Sequence, residues 1–510
     1  MISKIGGRRV LQMKFFGDSE TEKFDEAGIT PFGKRVVKSS IWAFSDRVIQ
    51  QILFFTRTLI LARLLSPGDF GIFGISLLAI TILSTFSKSG FDLALIQKKS
   101  DIRPYLDTAW TINLIRGMFR AAALFLSAPF IADFFNSPGV VPVVRVLALS
   151  ELVNSSQNVG MVYLQKELEF GKRFVFSVTV GIAGLIVGVT AVYFLRDVRA
   201  LVYASLAGSI AGLVTSYIIH PYRPSLNIDL GKAKEMFKFG KYIWGTSVLK
   251  FFILHGDDAF LGKILGPAAL GLYQMAYRIS NIAATEISNV LSDVAFPAYS
   301  KIQDQSHKLR IGYLKTIKIT TLFAFPIAGG LLILSPEFVR LVLGEQWISM
   351  IPAMRILCLL GMLKSIGFDD LFKSVGRPDI PTKISLVRLM AMVVTIYPLT
   401  LRLGMQGTAL SVLISSFFVI PIGLYHMSKT INYKIRDFLK LLSFPFTATA
   451  LMVFIVSLLK RTISDINIAS LALLITSGLV FYFAAIYLIN MIFREYQLIS
   501  LIKEIKRGWR

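Results

Sequence analysis

The amino-acid sequence predicts an all-α polytopic membrane protein with about fourteen transmembrane helices. Three observations carry that prediction. Apolar residues make up 54% of the 510-residue chain and charged residues only 17%, where a soluble fold carries roughly 25% charged residues. Three runs, 174–195, 403–428 and 466–493, hold no Asp, Glu, Lys or Arg, and each exceeds the roughly 20 residues needed to cross a hydrocarbon core. The basic residues alternate between dense and sparse segments along the chain, as retention of Lys and Arg on the cytoplasmic side requires.

The elements follow in chain order. Residues 1–38 mix basic and acidic groups without an apolar stretch, so a cytoplasmic basic segment is expected there and a cleaved signal peptide is not. Six spans then occupy 39–220, at about 39–65, 69–97, 107–134, 140–165, 174–195 and 199–220. Breaks such as Ser66-Pro67-Gly68 and Ser137-Pro138-Gly139 separate them. A basic cytoplasmic linker, 221–239, leads to six more spans within 240–428, at about 240–265, 268–297, 311–335, 347–374, 383–402 and 404–428. An additional helix pair is expected within 429–493, at about 439–459 and 466–493, followed by a basic cytoplasmic tail, 494–510.

The net charge is +24, from 55 basic and 31 acidic residues. With a cytoplasmic N-terminus, most basic residues fall in inside segments, among them Lys34, Arg35, Lys98, Lys99, Lys172, Arg173, Lys232, Lys308, Arg310, Lys434, Arg436 and Lys503. The outside loops carry few: Arg196, Arg199, Lys263, Arg340, Arg402, Lys460 and Arg461. Both termini are therefore expected inside, and charge spread over many short segments argues against nucleic acid as a partner. Cys358 is the one cysteine, so no disulfide framework or cysteine zinc site can form. His220, His255, His307 and His426 show no metal-ligand spacing, and nothing reads G-x-x-x-x-G-K-[ST]. No cofactor, metal or ATP-driven step is expected.

An internal repeat organises the spans. Leu61-Ala62-Arg63-Leu64-Leu65-Ser66-Pro67 and Gly71-Ile72-Phe73 align, 200 residues on, with Leu261-Gly262-Lys263-Ile264-Leu265-Gly266-Pro267 and Gly271-Leu272-Tyr273. A second echo pairs Val144-Arg145-Val146-Leu147-Ala148-Leu149 with Met354-Arg355-Ile356-Leu357-Cys358-Leu359. Six spans per repeat is an even number, so both halves enter the membrane in the same sense. A pseudo-two-fold axis along the membrane normal follows.

At these residues the chain also resembles a family. Leu61–Gly71, Ser89-Gly90-Phe91 and Ala94-Leu95-Ile96-Gln97-Lys98-Lys99 are similar to the start of Wzx-type polysaccharide flippases of the multidrug/oligosaccharidyl-lipid/polysaccharide exporter superfamily. So are Leu270-Gly271-Leu272-Tyr273, Ala276-Tyr277-Arg278 and Phe296-Pro297-Ala298-Tyr299-Ser300-Lys301-Ile302-Gln303 in the second half. The resemblance covers about residues 35–435. It implies two six-helix lobes around a central cavity and export of an undecaprenyl-diphosphate-linked oligosaccharide across the bacterial inner membrane. It also implies a polysaccharide polymerase and export machinery as partners, beside the membrane lipids. These motifs mark the family rather than a binding residue.

Ionisable residues inside spans cost about 2.5–3.5 kcal/mol each at helix centres on insertion scales, so they face a cavity or a countercharge. Arg47, Arg57, Arg116, Arg120, Lys250, Arg278 and Arg355 are the candidates for an anionic lipid diphosphate, since guanidinium and ammonium groups replace its lost water contacts. Arg116 and Arg120 share a helix face at i and i+4 and are expected at the cavity. Glu151, Asp257, Asp258 and Glu286 are the candidates for a coupling H⁺ or Na⁺, with ion pairing to a neighbouring Arg as the competing role. Lys88, Asp92, Asp293, Asp369 and Asp370 are read as interfacial. Asp257 and Lys250 share a stripe at i,i+7 that could be paired charge. Asn154-Ser155-Ser156 fits a glycosylation sequon but lies within a span, which rules that use out.

Two other functions fit the same architecture. Multidrug efflux predicts a more acidic or aromatic cavity. A membrane polymerase or ligase needs a substantial folded loop outside, and the outer loops here are short.

Overall fold

The first helix, α1 (Pro31–Leu64), stops where Ser66 and Pro67 start the next. Pro67 opens α2 (Pro67–Phe86), where its missing N–H leaves no bond unmade, and Ser66 and Asp69 close a reciprocal capping box. Helices dominate the described residues, and no strand occurs among them. In this computed structural model those are 31–87, 91, 95, 101–167, 169–463 and 467–493, with side chains described except at 31–41, 237–246, 283, 293, 294, 492 and 493. Lys88, Asp92, Lys98, Lys99, the side chain of Asp293 and the segments 1–30 and 494–510 lie outside the described residues.

The first lobe adds α3 (Arg103–Phe134), α4 (Val140–Ser155), α5 (Val162–Lys166), α6 (Phe170–Leu195) and α7 (Arg199–Ile219). Within it α1 packs on α6, α6 on α7, α3 on α4, and α4 on both α2 and α7. The second lobe comprises α8 (Leu230–Lys301), α9 (Ser306–Phe338), α10 (Ile351–Lys364), α11 (Asp369–Ser374), α12 (Asp379–Leu403) and α13 (Met405–Thr430). Here α8 packs on α9 and α10, α9 on α10, and α13 on α10 and α12. The additional pair, α14 (Ile435–Thr462) and α15 (Ile468–Phe493), lies against α9. Lys460 of α14 bridges Glu337 of α9 at 2.6 Å there.

Ten helical segments among the described residues are long and apolar enough to cross a membrane. The four other expected spans fall on helices that are short or charged. These are the 16-residue α4, α1 with Asp46, Arg47, Arg57 and Arg63, and the two halves of α8. Spans seven and eight run into one another as α8, 72 residues broken only at Gly266. Its φ of 82° is a backbone that a side chain strongly disfavours. Spans four and ten, expected as single helices, are interrupted in the same way in both lobes. After α4, Asn158 starts a new turn by accepting from the Gly160 N–H and binds the carbonyls of His220 and Tyr222. In the second lobe α10 ends at Lys364 and α11 restarts at Asp369.

The exposed surface identifies the solvent. Phe119, Leu126 and Phe130 lie on one stripe of α3 and are 70–75% exposed, an apolar face suited to lipid. Packing inside such a bundle depends on close approach rather than on water exclusion. Small residues Gly184 and Gly188 of α6 accordingly face Ala204 of α7.

Candidate functional site

The lobes meet most closely at the end of the bundle where α1 gives way to α2, and the repeat motif makes the contact. A Cβ on Gly71 would lie 1.7 Å from the Pro267 carbonyl oxygen, and one on Gly271 would lie 2.0 Å from that of Pro67. Only glycine allows this approach, and the two positions are each other's repeat equivalents. Basic residues reinforce it reciprocally. The Arg63 guanidinium donates to the carbonyls of Leu341 and Val342, where a π-helical turn (Val339–Leu343) ends the helix begun by α9. Lys263, its repeat equivalent, donates to the Phe134 carbonyl at the C-terminus of α3 at 2.6 Å. Cations suit the negative ends of helices. The buried Trp347 closes the same end, its indole N–H donating to the Ala62 carbonyl at 2.8 Å and its ring lying edge-on to Phe70.

Behind this closure, three clefts of about 400, 490 and 260 Å³ converge on Phe54 of α1. The smallest lies between the lobes and is lined by both Arg57 of α1 and Arg278 of α8. The Arg278 guanidinium carbon sits 3.8 Å from the Phe54 ring centroid, and that of Arg57 5.6 Å from the same centroid. Cation–π contact holds the two like charges beside one ring. Neither has an ion pair or hydrogen bond among the described residues. Gly184 leaves room for the Arg57 head, since a Cβ there would lie 3.0 Å from its Nη1. The site is thus two uncompensated guanidiniums, one per lobe, in a half-enclosed cavity. Chemically, such a pair can hold a compact anion with several acceptor oxygens.

The other expected cations are placed elsewhere. Arg120 pairs with Glu151 at 3.1 Å, each side chain about one-sixth exposed. Arg116, one turn away, donates to Asn113 Oδ1 at 3.1 Å and to the Ser87 carbonyl. Their shared face is turned to protein partners, and neither residue is among those lining the three clefts. Arg47 is half-buried in α1, in electrostatic reach of Asp46. Lys250 is exposed on α8, and Arg355 is exposed and donates to Ser335 Oγ at 3.1 Å. Asp369 pairs with Lys373.

Of the carboxylates, Glu286 lines the same cleft as Arg278. Asp257 is buried and accepts from the Tyr273 hydroxyl at 2.7 Å rather than from Lys250, while Asp258 accepts from Gln274 at 3.2 Å. Lys364, which the sequence did not single out, donates to the Tyr277 hydroxyl, lies 4.5 Å over its ring and is within electrostatic reach of Asp257. Phe54 was missed too, one phenylalanine among 40. The linker is held against α3: the Ser225 N–H donates to Asp107 at 2.9 Å, and the Tyr222 hydroxyl donates to the same carboxylate. Burial and that carboxylate push the Tyr222 phenol up, which keeps it a donor.

Residues 60–352 match the family described as polysaccharide biosynthesis protein. The chain is 28% identical over 359 residues to the lipopolysaccharide biosynthesis protein WzxC of Escherichia coli K12, covering 70% of this chain and 73% of that protein. It is 22% identical over 409 residues to the probable low-salt glycan biosynthesis flippase Agl15 of Haloferax volcanii, covering 79% and 85%. Its fold is similar to that of the lipid II flippase MurJ in an inward closed conformation, with a TM-score of 0.72, 15% identity, and 89% and 99% of the two chains covered.

Proposed function

Since the chain belongs to the polysaccharide biosynthesis protein family, we propose that it carries an undecaprenyl-diphosphate-linked oligosaccharide from the inner to the outer leaflet of the bacterial cytoplasmic membrane, for surface polysaccharide assembly. The observation that carries this reading is the pair Arg57 and Arg278, contributed by different lobes to one cavity and left without an ion pair among the described residues. A diphosphate bridging them gains charge-assisted bonds from both lobes at once, and relative rocking of the lobes then moves it. The basic-residue asymmetry supports an orientation with both termini inside and the α1–α2 end outside. In that orientation the described state is closed outward by the Gly71–Pro267 and Gly271–Pro67 contacts. The polyprenyl tail stays in lipid throughout, and no bond is made or broken. An inside-negative potential assists outward passage by about 2.3 kcal/mol per charge per 100 mV.

Asp257, held by Tyr273 and flanked by Asp258 and Lys364, is the best-supported coupling site for H⁺ among the four carboxylate candidates. Glu151 serves instead as counter-ion to Arg120. A multidrug substrate, commonly cationic, is disfavoured by two uncompensated guanidiniums. A polysaccharide polymerase and export machinery would act on the delivered unit.

The test is transport in proteoliposomes of a fluorescent undecaprenyl diphosphate oligosaccharide. Arg57→Gln and Arg278→Gln should each slow transfer by at least about tenfold, the value of one charge-assisted hydrogen bond. Full-speed transfer by the double variant sinks the reading.

A further inference from the structure

The repeat places opposite charges at matching positions of the two lobes. The offset of 200 that aligns Arg63 with Lys263 pairs Arg57 with Asp257, and the offset of 210 that aligns Arg145 with Arg355 pairs Asn154 with Lys364. The helices keep this register, since α4 ends at Ser155 and α10 at Lys364. In the first lobe Arg57 and Asn154 line one cleft. In the second, Asp257 and Lys364 lie within electrostatic reach of each other. One lobe thus sets a cation beside a neutral amide, and the other sets a carboxylate beside an ammonium.

The break at Gly266 shapes the surroundings of that carboxylate. It brings together residues 16 positions apart on the two halves of α8, so that the Tyr273 hydroxyl donates to Asp257 at 2.7 Å and the Gln274 amide to Asp258 at 3.2 Å. Asp257 is 4% exposed, and His255 Nδ1 lies 3.9 Å from Asp258. The Tyr277 ring follows, its centroid 6.2 Å from that of Tyr273. Its hydroxyl receives the Lys364 ammonium, which sits 4.5 Å over the ring. Arg388 of α12 is within electrostatic reach of both Lys364 and Tyr277, and its Nε is buried without a hydrogen-bond partner. Two carboxylates therefore face two basic side chains on neighbouring helices. Such a cluster treats a proton and a metal ion differently. A carboxylate binds a proton as a covalent O–H and needs no coordination shell. Na⁺, a hard cation, has to be surrounded by oxygen ligands. An ammonium on a flexible four-carbon stem is itself a compact monovalent cation. Beside Asp257 it supplies the charge that Na⁺ would bring and repels any that approaches. The hydroxyl and ring of Tyr277 give it a seat when the carboxylate is protonated.

We propose that Lys364 is a tethered cation that takes the place of a metal ion beside Asp257, so that the second lobe accepts H⁺ and excludes Na⁺. For transport this rests on the reading of Asp257 as the coupling carboxylate. The exclusion of Na⁺ is a property of binding and is measured without transport.

The experiment measures binding of radiolabelled Na⁺ to the full chain in nanodiscs. Wild type should show no saturable binding, and its melting temperature should be the same in NaCl as in choline chloride. Lys364→Met should bind Na⁺ at least about tenfold more tightly than wild type, because the carboxylate is then free of its ammonium in every molecule rather than in a small fraction. Lys364→Gln removes the charge with a different side chain and should do the same. Lys364→Arg keeps a cation and should stay without Na⁺ binding. Asp257→Asn added to Lys364→Met should remove the gain. Saturable Na⁺ binding by wild type, or a rise in its melting temperature specific to Na⁺, overturns the proposal whether or not the variants fold. A folded Lys364→Met or Lys364→Gln without the gain overturns it too, as does a gain that survives Asp257→Asn. Failure of the coupling reading looks different: Asp257→Asn then leaves transfer driven by a proton gradient at the wild-type rate, while the Na⁺ gain of Lys364→Met stands.

Discussion

Gly71→Ala isolates the reciprocal contact between the repeats. A Cβ at this position would lie 1.7 Å from the Pro267 carbonyl oxygen, and contacts under 3.0 Å are not tolerated, so α2 and α8 must part by at least about 1.3 Å. A radial gap of 0.5–1 Å already forfeits a quarter to a half of the dispersion attraction between facing atoms. The same displacement stretches the bonds from Trp347 and Gln346 to the Ala62 carbonyl and from Lys263 to the Phe134 carbonyl. Interhelical hydrogen bonds in membranes average about 0.6 kcal/mol each, so three of them give about 2 kcal/mol. That is roughly a thirty-fold shift in the ratio of outward-closed to outward-open molecules. Met275 reports it, being 4% exposed and lining the enclosed interlobe cleft, while the native Cys358 is fully buried. In a Met275→Cys background, Gly71→Ala should raise the rate of labelling by an impermeant maleimide added outside by about an order of magnitude. Gly271→Ala should act in the same direction. Unchanged or slower labelling in a folded variant would refute the assignment of this contact as the outward closure.

Three further outcomes follow from the geometry. Arg120→Ala and Glu151→Ala should each lower thermal stability by about 2–3 kcal/mol, because each leaves a partly buried charge alone. The double Met variant should recover most of the loss in the same melting experiment and should transport normally. Arg63→Ala combined with Lys263→Ala removes both helix-end caps and should raise labelling of Met275→Cys, with each single variant intermediate. Asn158→Ala removes two bonds to the carbonyls of His220 and Tyr222 and should speed proteolysis of the linker severalfold without changing the affinity for undecaprenyl diphosphate.

What could be read from the chain and what could not divide along dimensional lines. The repeat at Leu61–Phe73 and Leu261–Tyr273 was visible as a pattern, and so were its proline and glycine positions. That the two copies press against each other through those glycines is a property of three dimensions only. Arg57 and Arg278 were legible as isolated intramembrane cations, but their convergence on Phe54 joins residues more than 200 positions apart. The i,i+4 spacing put Arg116 and Arg120 on one face of α3 and suggested a cavity there, and could not reveal that Glu151 on a neighbouring helix answers Arg120. Spans four and ten looked like single helices because hydropathy does not register the Asn158 turn or the break after Lys364. Lys364 escaped notice because the Tyr277 hydroxyl that receives it lies 87 positions away, and Asn154 entered only as an unusable sequon.

The most direct measurement is a double-mutant cycle on the affinity of the purified chain for undecaprenyl diphosphate, with Arg57→Gln and Arg278→Gln taken singly and together. If one diphosphate spans both guanidiniums, each single variant should weaken binding by about tenfold or more, since a hydrogen bond to a charged group contributes about 1.5–3 kcal/mol. The double variant should fall short of the product of the two losses, because residues sharing one ligand do not act independently. Wild-type affinity in the double variant, with the fold intact, would contradict the account.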